Sequence, residues 1–345
     1  MRKDSSLIWS LIPASLFALF LSVGYGLTLP PSLVAGEAGL PTVRFVQSGQ
    51  TATSWTLYVA QEKRLFQKNG IFVEVIIIRG GVNTARAVIS NTIPIGRINP
   101  DYIIDAIEKG AQVKIIEGTM GKIPYYVMAR PEIKSGADLK GKTLGVDSLS
   151  GGTTLMIREI LEKAYNLKQN DYKLLVVGTS PDRYAALKGG AVHATFMGPP
   201  FNFRAEKEGF TKLTTFHEHL GPVQFVIEFA HQDYIKSHRA DVVAFVKSMI
   251  QGSRWLYDLK NKEEALAIHM KVLKSNRATA EQDYKFMVEE FKPWPADGSV
   301  SKPAIAKTMD LRVKAGKYEG KKIPSYAEYI DFSIVEEAKK QLGIK

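Results

Sequence analysis

The chain has 345 residues, 45% of them apolar and 23% charged, with a formal net charge of +11. These values are ordinary for a soluble globular protein and leave room for two domains. There is no cysteine, which excludes disulfides, thiolate metal sites, cysteine nucleophiles and a lipoprotein anchor.

Residues 1–38 read as an export signal. Arg2 and Lys3 form a short basic start, residues 7–26 are apolar and almost uncharged, and Ala35, Gly36 and Ala38 offer small residues for cleavage. The alternative is an uncleaved anchor, since the apolar stretch is long enough to span a bilayer. Pro13 near its middle and the small residues after it favour cleavage. Removal takes Arg2 and Lys3 together with Asp4 and Glu37, so the mature charge stays at +11. A basic exported protein suits anionic ligands or an acidic membrane surface. Nucleic acid is a poor partner, because the lysines are scattered and no arginine–aromatic stripe is present.

After this segment the pattern alternates. Residues 42–47 read as a strand and 55–68 as a helix, with Leu57, Ala60, Leu65 and Phe66 on its apolar side and Gly70 as C-cap. The β-branched run 71–78 reads as a strand buried on both faces. A helix over 83–90 and a strand from Ile93 follow. Asn99 then caps a helix with Pro100 at its first position, and 113–117 is a strand. Strands alternating with helices mean a parallel sheet with crossover helices. Residues 123–129 form one more strand, and the polar stretch 130–141 reads as a crossing between lobes.

The pattern then restarts. Strand 143–146, a helix to Tyr165, strand 173–177, a helix opened by Ser180-Pro181, a strand at Val192, a Pro199-Pro200 turn, a helix to Glu208 and strand 212–216 make a second lobe. Ile93-Pro94-Ile95-Gly96-Arg97-Ile98 before Asn99-Pro100 matches Val192-His193-Ala194-Thr195-Phe196-Met197 before Gly198-Pro199, and each following helix ends at a glycine. Residues 223–230 cross back. Helices over 242–257, 262–273, 279–291, 302–315 and 326–342 complete the chain. The expected organisation is a signal peptide (1–38), a discontinuous lobe I (42–129 and 225–345) and lobe II (130–224). The fold class is α/β: two lobes, each a parallel-rich sheet flanked by helices, with C-terminal helices.

Ligands of open parallel sheets bind beyond the carboxyl ends of the strands. That selects loops 47–55, 80–83, 99–101 and 148–154, and by the internal match 198–201. The site residues expected there are Ser54, Trp55, Gly81, Asn99, Ser150, Gly151, Gly152, Thr153, Thr154, Pro199 and Phe201. Ser150 to Thr154 is the sharpest. Glycines admit a ligand to the backbone, a helix start offers free N–H groups, and the hydroxyls add donors, which suits a carboxylate, sulfonate or phosphate. The plain alternative is a helix cap. Trp55 either walls the ligand or packs in the core, and the aromatics Tyr102, Tyr125, Phe201 and Phe203 pose the same question. Arg97 faces an anion or, by the usual habit of charged residues, forms a solvent-facing salt bridge. His217 and His219 sit on an expected strand with both rings on one side, in a surface or supporting role. No metal spacing, catalytic constellation or dinucleotide fingerprint is present, so no metal, cofactor or catalytic residue is expected.

These features resemble the solute-binding proteins of ABC importers in the nitrate, sulfonate, taurine and thiamine-pyrimidine group. The resemblance spans about residues 42–260. It rests on Leu57-Tyr58-Val59-Ala60 through Gly70-Ile71-Phe72-Val73-Glu74-Val75, on Asp138-Leu139-Lys140-Gly141-Lys142-Thr143-Leu144-Gly145-Val146, and on Ala185-Ala186-Leu187-Lys188-Gly189-Gly190. It implies a type II periplasmic-binding fold, a small anionic or aromatic ligand between lobes that close by a hinge near 129–131 and 224–229, a periplasmic location, monomeric state, and importer membrane subunits as partners. The Gly-x-x-Asp that members often carry is replaced by Asn91-Thr92-Ile93-Pro94 and Gly190-Ala191-Val192-His193. Some relatives are pyrimidine synthases with a cysteine-rich motif, which this chain lacks. An enzyme on the same fold and a ligand-sensing module are the competing readings.

Overall fold

The computed structural model describes residues 39–149, 151–319 and 323–344. The expected signal peptide lies outside them. Ten strands form two five-stranded sheets: β1 (Thr42–Gln47), β2 (Phe72–Ile77), β3 (Ile95–Ile98), β4 (Val113–Met120), β5 (Tyr126–Ala129), β6 (Thr143–Val146), β7 (Lys173–Val176), β8 (Ala194–Met197), β9 (Thr211–Thr215) and β10 (Val226–His231). The first sheet has the order β2-β1-β3-β10-β4 and the second β7-β6-β8-β5-β9. The two orders are the same pattern. In each, three parallel strands are followed by one antiparallel strand that the chain contributes from the other half: β10 runs antiparallel to β3 and β4, and β5 to β8 and β9.

This exchange corrects the expected boundary. Strand β5 was expected in lobe I, yet it pairs with β8 and β9 in the second sheet. The chain crosses between β4 and β5, before residue 126, and 130–141 already belongs to the second lobe. The return falls between β9 and β10. Local pattern cannot reveal it, because an apolar four-residue strand looks the same in either sheet.

Other differences have local causes. The first helix breaks into Trp55–Glu62 and Leu65–Lys68 at Arg64, which takes a left-handed conformation (φ 53°). Strand β2 is an edge strand with Ile77 exposed, so its β-branched run does not mean burial on both faces. His217 and His219 lie on a short helix, Phe216–Leu220, capped reciprocally by Thr215 and Glu218. There His219 Nε2 pairs with Thr214 Oγ1 at 2.7 Å.

The C-terminal helices touch both lobes. Helix Arg239–Tyr257 packs on helix Trp55–Glu62, and a side-chain carbon at Gly252 would stand 2.6 Å from the Thr56 carbonyl oxygen. Phe286, on the π-helical stretch Lys285–Phe291, meets Tyr126 and Phe203 of the second lobe at 5.8 and 5.4 Å between ring centres. Arg312 reaches Asp105 at 2.7 Å and Glu108 at 3.0 Å, which fixes helix Pro100–Ile107 against helix Lys302–Lys314. Lys314 bridges to Glu159 of the second lobe at 2.6 Å.

The Gly252 contact is testable. Gly252→Ala forces two helix backbones apart, so it should lower unfolding stability by about 1–3 kcal/mol. A urea midpoint equal to that of the parent would show that the helices separate without cost.

Candidate functional site

A cavity of about 360 Å³ lies where the carboxyl ends of the two sheets face each other. The first lobe contributes Gln47 and the loop after β1, Arg79 to Gly81 after β2, and Arg97 to Asn99 with Tyr102 after β3. The second contributes Asp147 after β6 and Gly178 to Ser180 with Asp182 and Arg183 after β7. Tyr125 and Phe225 come from the two crossings. The sheet-end rule therefore locates the site, and both lobes build it.

Its floor in the first lobe is ionic. Arg97, Glu228 and Glu117 lie directly opposite one another across β3, β10 and β4. All three are buried. Arg97 holds Glu228 Oε1 with Nε at 2.7 Å and Nη2 at 2.6 Å. Glu117 receives no such bond from Arg97, and its Oε2 has no hydrogen-bond partner among the described residues. Burial first, then the neighbouring Glu228, pushes the Glu117 carboxyl well above its ordinary range. Arg97 is thus neither solvent-facing nor a free anion receptor. Its Nη1, however, has no hydrogen-bond partner among the described residues, and neither has the buried Gln47 Nε2.

The second lobe supplies Arg183, which is 2% exposed. It stands in the first turn of helix Ser180–Lys188, capped reciprocally by Thr179 and Asp182. Its Nε donates to the Phe196 carbonyl at 2.8 Å, Nη1 to the Gly178 carbonyl, and Nη2 to Ser180 Oγ at 3.3 Å. The guanidinium lies 4.3 Å from the Phe196 ring centre. Among the described residues no carboxylate stands within 4.0 Å of it. A buried cation held only by carbonyls, a hydroxyl and a ring is incompletely compensated.

The expected site residues divide. Ser54, Gly81 and Asn99 line the cavity. Ser54 Oγ donates to Gln47 Oε1 at 2.8 Å and so fixes which end of the amide is free. Asn99 Nδ2 donates to the Phe225 carbonyl at 2.7 Å, tying a helix start to the crossing strand. Trp55 points the other way and is fully buried, 4.5 Å from His269 and 5.9 Å from Tyr284 between ring centres. Pro199 and Phe201 are off the cavity wall, with Phe201 5.9 Å from Tyr184. Ser150 lies outside the described residues.

Gly151, Gly152, Thr153 and Thr154 do open a helix, Gly152–Tyr165, but they do not line the cavity. Thr153 Oγ1 donates to Asp147 Oδ2 at 2.9 Å, and Thr154 Oγ1 donates to the Ser148 carbonyl at 2.6 Å. Asp101 reaches across from the first lobe, and its Oδ2 lies 1.7 Å from where a Gly152 side-chain carbon would be. Sequence reasoning missed Arg183, Gln47 and Thr179. The Gly178-Thr179-Ser180-Pro181 junction carried the same strand–glycine–hydroxyl–helix signal and was read only as a cap.

The fold agrees with that of known proteins. The NMT1/THI5-like family profile matches residues 51–265. The chain belongs to the NMT1/THI5-like family. A protein of Brucella abortus (strain 2308), named as a candidate binding protein, is 24% identical over 307 residues, covering 86% of this chain and 92% of its own. The alkanesulfonate-binding protein SsuA of Xanthomonas axonopodis pv. citri, solved with MOPS, superposes with a TM-score of 0.66 at 17% identity, covering 87% of this chain and 99% of that one. The periplasmic nitrate-binding protein NrtA of Synechocystis PCC 6803 gives 0.67 at 15% identity, covering 89% and 90%. One more distant neighbour, the desulfurization enzyme DSZB, gives 0.62 at 12% identity, covering 88% and 99%. The fold is the periplasmic-binding fold.

Asp101 makes the site pH-sensitive. Burial pushes its carboxyl from 3.8 up to about 6, opposed by Arg312 and by its own backbone N–H, and reinforced by Asp105 and Asp147. A group whose folded value is raised stabilises fully below its unfolded value and loses that contribution as pH rises through about 6. The ionised group then costs roughly 3 kcal/mol. Asp101→Asn should therefore raise the melting temperature at pH near 7.5 and lose most of that gain toward pH near 4.5. A melting difference that is flat with pH would contradict it.

Proposed function

We propose that this protein is the exported solute-binding component of an ABC importer, and that its ligand is a small organic anion held between the lobes. Arg183 carries the reading: it is a buried cation on the wall of a cavity that Gln47 and Arg97 also line, and among the described residues it has no carboxylate within 4.0 Å. An anion entering there finds charge and hydrogen bonds, and Tyr102, Tyr125 and Phe225 give its apolar part a wall. Sulfonates, carboxylates, aromatic acids and pyrimidine-like acids all answer that description. The family and the binding proteins that share the fold support the transport role. The importer's membrane subunits are the partners, and the protein acts as a periplasmic monomer that is not lipid-anchored. Among the described residues no helix is long and apolar enough to cross a membrane. Closure bends the two crossings between β4 and β5 and between β9 and β10.

A catalytic reading has less behind it. Ser275, His269 and Asp283 form a hydrogen-bonded row, with 2.8 Å from Ser275 Oγ to Nδ1 and 2.9 Å from Nε2 to Asp283 Oδ2. That row joins the C-terminal helices beneath Trp55 and does not reach the cavity wall.

The experiment is a thermal-shift screen of small organic anions, followed by calorimetry. A ligand at a hundred times its Kd should add about 2.7 kcal/mol of stability. Arg183→Gln should weaken the best anion roughly ten- to a hundredfold, the value of a charged hydrogen bond. Small-angle scattering should show compaction on binding. Anions that bind Arg183→Gln as tightly as the parent would remove the basis of the proposal.

A further inference from the structure

The charges around the cavity can be matched one by one. Arg97 is answered by Glu228 at 2.6 Å, and Arg79 faces Asp182 at 3.8 Å across the mouth. Two groups remain. Arg183 has no carboxylate, and Asp147 has no cation, within 4.0 Å among the described residues.

Asp147 is not a disordered surface acid. It is half-buried at the end of β6 and lines the cavity. Two donors hold it from its own lobe, the Ser148 N–H at 3.0 Å and Thr153 Oγ1 at 2.9 Å. A carboxylate offers about four lone-pair sites. Two are taken, so the group is oriented and still able to accept. Tyr102 lies beside it, its hydroxyl 3.4 Å from Ser148 Oγ, and burial first, then the Asp147 carboxylate, holds the Tyr102 phenol above its ordinary range.

A plain anion is a poor complement to this wall. Bound at Arg183, it would share a cavity of about 360 Å³ with an unanswered carboxylate, and like charges held close together cost free energy. A ligand with a second, positively charged or N–H-bearing end answers both groups at once. Specificity of this kind comes from repulsion of the wrong ligand as much as from attraction of the right one.

Resting on the anion-binding reading of the same cavity, we propose that Asp147 is its specificity-determining residue and that the ligand is amphoteric: an acidic group toward Arg183 and an ammonium or N–H donor toward Asp147.

The test compares acids that differ only by an amino group: propionate with β-alanine, propanesulfonate with its terminal amino derivative, and toluate with (aminomethyl)benzoate. Each pair is titrated calorimetrically into the mature protein and into Asp147→Asn. The amino member of at least one pair should bind about ten- to a hundredfold more tightly, as expected for one charged hydrogen bond. Asp147→Asn should bring that ratio to within about threefold, with the plain acid gaining, since the repulsion is gone. Plain acids that bind the parent protein as tightly as their amino partners would overturn the inference while leaving the anion-binding reading intact. So would a ratio unchanged in Asp147→Asn. If no member of any pair binds, both readings fall. Should Asp147→Asn prove unstable through loss of its threonine contact, the ratio in the parent protein decides alone.

Discussion

Glu228 is the residue on which the first lobe's half of the site depends. It lies on β10, the strand that returns from the second lobe and inserts between β3 and β4. From there it holds Arg97 on one side and faces Glu117 on the other. Removing one partner of a buried ion pair costs about 3–5 kcal/mol, because the other charge is left unanswered. The exchange of strands therefore does more than link the lobes. It delivers the carboxylate that lets an arginine be buried at a sheet end, on the wall of the cavity.

A similar economy operates in the second lobe. The start of helix Gly152–Tyr165 has the sequence of an anion site, yet its threonine hydroxyls are taken by Asp147 and the Ser148 carbonyl, and the Asp101 carboxyl lies against Gly152. A helix N-terminus attracts any negative charge, and the nearest one belongs to the protein. The junction proposed to face the ligand is the one after β7, where the capping acid Asp182 is tied to Thr179 at 2.5 Å and Arg183 has no carboxylate within 4.0 Å among the described residues. In that reading two junctions of similar sequence differ because of where carboxylates fall in three dimensions.

That distinction marks what the sequence could show. Most strand and helix positions were legible, because apolar periodicity, prolines at helix starts and glycines at helix ends are local signals. Strands Thr42–Gln47 and Thr143–Val146 and helix Lys262–Leu273 lie where the pattern put them. The sheet-end rule found the first lobe's share of the cavity, in loops 47–55, 80–83 and 99–101, but not the Gly178 to Arg183 loop of the second. What stayed hidden was pairing over long separations. The placement of β5 depends on β8 and β9, some seventy residues away or more. Arg97 finds its partner 131 residues along the chain. Trp55 packs on helices from the C-terminal part, which no reading of its own neighbourhood could reveal.

The lobes meet through contacts of unequal cost. Arg79 with Asp182 is long and exposed, and Lys314 with Glu159 is half-exposed on the lysine side, so solvent screens both. Asp101 against Gly152 is different. The carboxyl is buried, one oxygen has no donor among the described residues, and it lies against Gly152 of the second lobe. In the proposed hinge motion, opening would return that group to water, where an ionised carboxylate is well solvated. At neutral pH the contact would then favour the open form, and the apolar wall and the bound ligand would supply what offsets it. A cleft that closed strongly on its own would hold its cargo after docking. One whose closure is opposed by a buried acid stays dependent on the ligand to remain shut.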